Sequence, residues 1–421
     1  MLRYLPLSGS DRLLQSCRFP VRSSLRACVQ AALLFGLILA SGPTLRAADQ
    51  PSESRTVARC GQGWLELING YPVLHLKGTP YEIGYQHGAL LKERIHQNLN
   101  SILKGKAEQP IKIGFLKLKP RAAIESIVEI ERPYVPEKYF EEMRGLSAAS
   151  GIPLRDVVAA NFIPEMFHCS GFAVMNSATK DGTLYHGRVL DYAIDWGLQD
   201  HAIIAVIEPD QGHAYVNVTY AGFVGCVTGM NARSISVGEM GGGGLGHWAG
   251  VPMALLVREV LSQSETLDDA IRVFRDNPRT CQYFYVVADG KTNRAVGMEA
   301  SWNVFQTIEP GQQHPLLPTP VTDAVLLSAG DRYKELVKRA QAQHGEFTAD
   351  SARDLMCRPV AMKSNLHNVL FEPRSTKFWV ANATSDKQPA AEQKYAAFQL
   401  SELLQRSPDV AAPSLPYISA R

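Results

Sequence analysis

The chain lacks the patterns that mark several large functional classes. Its eleven histidines form no HExxH and no close pair at metal-ligand spacing, and its cysteines form no CxxC, so zinc hydrolysis and a structural zinc site are unsupported. Beyond residue 48 no stretch has the uninterrupted apolar length of a bilayer-spanning helix. No internal repeat and no low-complexity segment is present, which sets aside repeat architectures and disordered tracts. An excess of one charge is also missing. The whole chain is formally +2, and the first 48 residues hold Arg3, Arg12, Arg18, Arg22, Arg26 and Arg46 against Asp11, a net +5 that leaves about −3 for the remainder. Nucleic-acid binding thereby loses its main argument. The local run of Lys104, Lys106, Lys112, Lys117, Lys119 and Arg121 has no interleaved aromatics and reads as a solvated face.

What is present is ordinary globular composition, 45% hydrophobic and 20% charged over 421 residues, with ample apolar material for a core. Residues 1–48 differ from the rest. Basic residues precede an apolar run over 27–40, and Ser41, Gly42 and Pro43 lead to Ala47 and Ala48. This reads as a secretory signal or, with Leu45 and Arg46 spoiling the cleavage site, an uncleaved N-terminal anchor. Export is the expectation, to the periplasm or medium, with membrane attachment only if that segment is retained. Five cysteines remain after it: Cys60, Cys169, Cys226, Cys281 and Cys357. An odd number leaves at least one unpaired, and if that is Cys169 the other four allow three connectivities or none.

Along the rest of the chain, residues 51–59 read as a polar linker and 64–76 as a strand pair around Asn69-Gly70. Ile83, Leu90, Leu91, Ile95, Leu99 and Leu103 predict one long amphipathic helix over 81–103, and helices are expected over 136–150 and 153–161. Short strands are expected over 202–208, 214–220, 222–228, 234–240, 283–288, 295–299, 325–329, 369–372 and 378–383, with helices over 251–263, 266–274 and 331–342. Strands following strands, with helices grouped between, argue for antiparallel sheets in an α+β layered fold.

The most informative stretch runs over 166–192, MFHCSGFAVMNSATKDGTLYHGRVLDY. It reads as a hairpin with Cys169 at the head of its first strand and a turn at Lys180-Asp181-Gly182. A turn centred on Asp181 sets Cys169 opposite Tyr192 and beside Asp191. Arg188 lies three residues back, roughly 10 Å by strand rise. Strict alternation puts Arg188 and Asp191 on opposite faces, so both face Cys169 only if the strand bulges or ends near Leu190. A thiol between a fixed cation and a carboxylate is equipped for nucleophilic catalysis. The same residues also fit a small buried cysteine and a surface ion pair.

Several motifs in one order extend this reading: GTPYEIGYQHG, EEMRGLSAASGI, LRDVVAANFIPE, HCSGFAV, DGTLYHGRVLDY, GMNARSISVG, GVPMALLVREVL and SAGDRY. Together they resemble the C45 peptidase-like family of isopenicillin-N acyltransferases and related linear-amide C-N hydrolases. The resemblance implies an N-terminal-nucleophile hydrolase fold, a four-layer αββα sandwich of two antiparallel sheets between helical layers. It implies a precursor that cuts its own His168–Cys169 bond, giving an α chain of 49–168 and a β chain of 169–421 that remain together as one domain over 49–421. It further implies Cys169 as nucleophile, with Arg188 stabilising the thiol and Asp191 holding the new amino group, an N-acyl amide as substrate, and no cofactor or metal. Asn231 and Arg332 occupy family-like positions for substrate or oxyanion binding, though each also fits a turn asparagine or a surface helix arginine. The segment RTCQYFYVVAD is where relatives carry an oxyanion-binding asparagine, and here it has none.

Two other enzyme and non-enzyme readings stay open. His186 or His367 could serve Cys169 in an unprocessed Cys-His hydrolase, and the missing asparagine fits an inactive binding protein. Gly241, Gly243 and Gly246 satisfy GxGxxG, but His247, Trp248 and Pro252 separate them from the next helix, and a second helix follows where a βαβ unit needs a strand.

Overall fold

Most central strands of this chain are buried on both faces, and successive residues pack to opposite sides, which sorts the strands into two facing sheets with helices outside. The computed structural model describes residues 54–109, 111–113, 116–163, 169–192 and 194–418, and the side chains of 111–113 and 116–118 are left aside. The leader expected over 1–48 and the residue His168 lie outside the described residues.

The chain begins with β1 (Ser54–Cys60), β2 (Gly63–Ile68) and β3 (Tyr71–Gly78). Helices α1 (Pro80–Leu90) and α2 (Lys92–Asn100) follow, then a π-helical turn at Ser101–Lys106, the short β4 (Ile111–Ile113) and β5 (Leu116–Leu118), and α3 (Pro120–Glu131), α4 (Glu137–Ser150) and α5 (Leu154–Asn161). The hairpin is β6 (Ser170–Asn176) and β7 (Gly182–Asp191). Next come β8 (Ala202–Pro209), β9 (Tyr215–Tyr220), β10 (Thr228–Asn231), β11 (Ile235–Gly243), α6 (Met253–Gln263) and α7 (Leu267–Asp276). The remainder is β12 (Gln282–Asp289), β13 (Arg294–Ser301), β14 (Phe305–Ile308), β15 (Ala324–Leu327), α8 (Gly330–Ala342), α9 (Ala349–Asp354), β16 (Asn365–Glu372), β17 (Lys377–Asn382), β18 (Ala396–Gln399) and α10 (Leu400–Leu403).

One sheet orders its strands β1-β2-β3-β8-β9-β10-β11-β12-β13-β14, and the other β15-β6-β7-β16-β17-β18. On the larger sheet Leu74, Ile203, Ala205, Tyr285 and Val287 face outward and pack with α1, α4, α6 and α7, while their chain neighbours Val73, Ile204 and Val206 face inward. Inward residues of the second sheet, Val369 and Phe371 among them, complete the central core, and Leu336, Val337 and Ala340 of α8 cover its other side. The result is a four-layer αββα sandwich. Close helix packing in the first layer depends on two glycines: a Cβ at Gly84 would meet the Glu142 carbonyl oxygen, and one at Gly145 the Tyr81 carbonyl oxygen.

Four local expectations are corrected. Residues expected as a polar linker form the edge strand β1, whose outer side bonds the C-terminal segment through Arg59 N–H to Pro413 O and Leu415 N–H to Arg59 O, 2.8 Å each. The long helix is split at Leu91, whose φ of −123° leaves the helical region. Residues 222–227 are irregular, and the strand there begins only at Thr228. The sheets are not wholly antiparallel, because β3 and β8 pair in parallel. Between those two strands the chain makes the helical excursion and the whole β6–β7 hairpin, and this long crossover returns it in the same direction. Among the described residues no helix is long and apolar enough to cross a membrane.

Candidate active site

Cys169 stands immediately before β6, buried at 3% exposure. The hairpin register differs from the expected one: Ser170 pairs with Val189, Gly171 with Arg188 and Ala173 with His186, so Cys169 extends the ladder beside Leu190 rather than Tyr192. The turn explains the shift. Asn176 takes a left-handed φ of 49° and pairs with Gly182, φ 80°, so the reversal centres near Thr179. The Asp181 carboxylate instead accepts from the Thr183 N–H at 3.1 Å, at the start of the returning strand.

This register sets which side chains share the thiol's face. Inward-facing are Cys169, Gly171 and Ala173 on β6, His186, Arg188 and Leu190 on β7, and His367 and Val369 on β16. Arg188 is therefore a diagonal neighbour of Cys169 on the same face. The strand does not bulge at Leu190; the irregularity falls on β16, where Asn365 opposes Asp191 and His367 opposes Leu190. Arg188 and Asp191 thus remain on opposite faces, and each has its own counter-charge.

Arg188 is fully buried and reaches across to Glu239 on β11, Nη2 to Oε2 3.2 Å, past Gly238, where a Cβ would come within 3.1 Å of the arginine side chain. Asp191 lies at the strand end beneath α8. Its Oδ2 accepts from Arg332 Nη2, and its Oδ1 accepts from the Met362 N–H at 2.9 Å. Arg332 also donates to Ser170 Oγ at 2.6 Å and to the Val360 carbonyl at 2.7 Å. Burial pushes the Asp191 carboxyl up to about 6, against the opposing pull of Arg332, the Met362 amide, Arg188 and Asn365. Arg332 is thereby joined to the residue next to Cys169 as well as to Asp191.

Asn231 is not part of this cluster. Its Nδ2 donates to the carbonyls of Leu261 and Ser264, 2.9 Å each, and its Oδ1 accepts from the N–H groups of Arg233 and Ile235, so its polar capacity is used in tying the β10–β11 turn to the end of α6. His186 bonds Ser236 Oγ through Nδ1 at 2.7 Å, and burial, then the charge of Arg188, lowers its pKa to about 3. His367 uses both ring nitrogens, on Tyr220 Oη and Thr228 Oγ1 at 2.9 Å each. Cys60, Cys226, Cys281 and Cys357 are thiols, and burial raises the first three to about 11, 12 and 11.

Two cavities flank this strand end. One, of about 320 Å³, has Cys169, Met240, Gly241, Gly242, Gln282 and Ser328 in its wall. The other, of about 110 Å³, is apolar and aromatic, with Leu190, Tyr192, Trp196, Tyr220 and Phe223. Gln282 and Glu239 were not singled out by the sequence. Gln282 does lie in the segment where the asparagine is missing, and Glu239 stands just before the glycine run, but nothing local marks either as a neighbour of the thiol. The glycine run continues β11 into an antiparallel pair with β12. A nucleotide-binding βαβ turn is not what these glycines build.

Residues 177–313 match the family described as acyl-coenzyme A:6-aminopenicillanic acid acyl-transferase. That match spans about a third of the chain and agrees with the resemblance carried by its motifs. Its four-layer sandwich is the architecture that the motif resemblance implies. Protein dcd1B of Dictyostelium discoideum is 24% identical over 395 residues, 82% of this chain and 77% of that one. The N-acylethanolamine-hydrolyzing acid amidase of Mus musculus is 26% identical over 174 residues, and the match spans 38% of this chain and 46% of the amidase. Among solved structures, the Caenorhabditis elegans ortholog of that amidase matches with a TM-score of 0.38 and 18% identity, over 49% of this chain and 93% of the other.

Proposed function

We propose that this chain is an exported, self-processing amidase or acyltransferase that acts on a linear amide of an N-acyl compound through an S-acyl enzyme. The observation that carries the reading is the position of Cys169: at the head of β6, in the wall of a cavity, with Arg188 diagonal to it on the same face and Asp191 held at the neighbouring strand end. Cleavage of the His168–Cys169 bond gives an α chain of 49–168 and a β chain of 169–421, with residues 1–48 as signal or anchor.

The freed α-amino group of Cys169, with a reference pKa of about 7.7–8.0, then takes the thiol proton. The thiolate attacks the amide carbonyl, the C–N bond breaks as the ammonium returns its proton to the departing amine, and water or a second amine resolves the thioester. In this arrangement Arg188 favours the thiolate from the thiol's own face, and the Asp191 carboxylate orients the ammonium at the strand end. The apolar cavity beginning at Leu190 suits the acyl group. Outside the cytoplasm acyl-CoA is scarce, which favours hydrolysis over CoA-dependent transfer. A Cys-His hydrolase is less well supported, because His186 and His367 are engaged by hydroxyl groups and burial lowers the pKa of both.

Intact mass and N-terminal sequencing of the native protein beside Cys169→Ala, with turnover of N-acyl amides by both, test the proposal. Two fragments from the native chain, one beginning at Cys169, with a single chain and no turnover from the variant, are expected. A single chain from both proteins removes the self-processing mechanism, and equal turnover by both removes Cys169 as the nucleophile.

A further inference from the structure

Resting on that reading, we infer that the Ser328 hydroxyl is a hydrogen-bond donor for the oxyanion formed at the substrate carbonyl, and that Ser170 and Arg332 set its proton in that direction. The position comes from the sheet. β15 and β6 pair antiparallel with Leu327 opposite Gly171, so one further step along the ladder brings Ser328 beside Ser170, at the end where Cys169 stands. Ser328 shares the cavity wall with Cys169. The other polar side chain described there is Gln282, and its Nε2 already donates to Glu299 Oε1 at 2.6 Å, with His314 Nε2 3.5 Å from the second carboxylate oxygen. Ser328 is thus the hydroxyl that can serve in place of the missing asparagine.

The direction of its proton follows from counting donors. A guanidinium only donates, so Ser170 Oγ accepts from Arg332 Nη2 at 2.6 Å. Ser170 is 1% exposed, and a hydroxyl proton at that depth needs an acceptor. Ser328 Oγ, 2.7 Å away, is the acceptor that the described residues supply. Having accepted from Ser170, the Ser328 oxygen keeps its own proton for the cavity side. The arginine charge at the far end polarises both hydroxyls in the same sense, which strengthens the last donor. As the Cys169 thiolate forms its C–S bond, the carbonyl π pair moves onto oxygen, and this O–H meets the charge that develops there. When the C–N bond breaks, the pair returns to the carbonyl and the hydrogen bond weakens again. Ser328 touches the reacting atoms, whereas Ser170 acts through it and is a positioning residue.

The native protein, Ser328→Ala, Ser328→Thr and Ser170→Ala test this as full chains, with rates expressed per processed molecule counted by intact mass. Two quantities are measured: turnover of an N-acyl amide, and inhibition by the trifluoromethyl ketone of the same acyl chain, to which the thiolate adds to give a stable tetrahedral oxyanion. Ser328→Ala should lower kcat about a hundredfold with KM unchanged, and weaken the ketone by a similar factor. A general loss of structure would raise KM as well. Ser328→Thr keeps the hydroxyl and should restore both quantities. Ser170→Ala should weaken both about tenfold, the scale of one hydrogen bond. Unchanged kcat and ketone affinity in Ser328→Ala, or in Ser170→Ala should the first variant remain uncut, overturn the present inference alone. Capture of the ketone that depends on Ser328, by a native protein that turns over no N-acyl amide, overturns the amidase reading alone. A native protein that neither turns over the amides nor captures the ketone overturns both.

Discussion

Two of the buried arginine–carboxylate pairs in this molecule, one between helices and one at a strand end, differ in what surrounds them. Arg258 of α6 meets Glu142 of α4 at 2.7 Å, with 6% and 4% of their side chains exposed. Its Nε donates to Tyr215 Oη at 2.7 Å, its Nη1 also donates to the Val224 carbonyl at 2.8 Å, and its guanidinium lies over the Tyr139 and Tyr215 rings. That pair pins two helices of the outer layer to the larger sheet. Arg332 of α8 meets Asp191 at a strand end, and its other bonds go to Ser170, next to the thiol, and to a loop carbonyl. In both pairs burial raises the acid and the arginine pulls it back. At Asp191 the balance pushes the carboxyl up to about 6, one strand away from the Cys169 thiol. The same kind of ion pair thus sits among packed helices in one place and beside the proposed nucleophile in the other, and the neighbours set what each can do.

Breaking the first pair should give the largest change in stability. Arg258→Met leaves Glu142 buried without its partner and should cost about 3–5 kcal/mol in chemical denaturation, while activity per folded molecule stays the same. Adding Glu142→Leu should recover much of that loss, because two apolar side chains in contact no longer carry an uncompensated charge. No recovery in the double variant would mean that the aromatic rings and the Val224 carbonyl matter more than the ion pair.

Breaking the second pair from the acid side should act on chemistry instead. Asp191→Asn should slow self-cleavage and turnover about a hundredfold at neutral pH, the usual scale for a group that orients a proton-transfer partner. It should also change the dependence of stability on pH. Folded Asp191 holds its proton up to about 6, whereas unfolded it releases it near its ordinary 3.8, so between these values the folded state binds more protons. The stability this contributes is present below about 4 and lost as the pH rises through 6. The asparagine variant should lose that slope, and an unchanged slope would assign it to another group.

The comparison also shows what could be read before the fold was known. The motif order around Cys169, the arginine and aspartate three residues apart, and the apolar period of α8 are local properties, and each is legible in the residues. The hairpin register was not, because it depends on Asn176 adopting a left-handed backbone, which its neighbours do not dictate. The edge strand β1 looks polar because one side is open and its bonds come from a segment more than three hundred residues away. Glu239 and Gln282 were missed for a related reason. Their roles depend on partners brought in by sheet pairing and loops: Arg188 from the facing sheet for one, Glu299 and His314 for the other.

The smallest expected effect is the most specific. Arg332 is the strongest of the groups that hold Asp191 down against burial, ahead of the Met362 amide and Arg188. Arg332→Gln keeps a donor for Ser170 but removes the charge, so the Asp191 carboxyl should move above 6. If ionised Asp191 orients the Cys169 ammonium, the acid limb of kcat/KM should move to higher pH by about one unit, equivalent to about 1.4 kcal/mol. Arg332→Lys should restore most of the original limb, since it returns the charge without the forked geometry. Arg258→Met should leave the limb where it is, because its carboxylate partner lies in the other pair. A limb unmoved in Arg332→Gln would show that the titration seen in activity belongs to a group other than Asp191, and the contrast between the two ion pairs would then be one of packing alone.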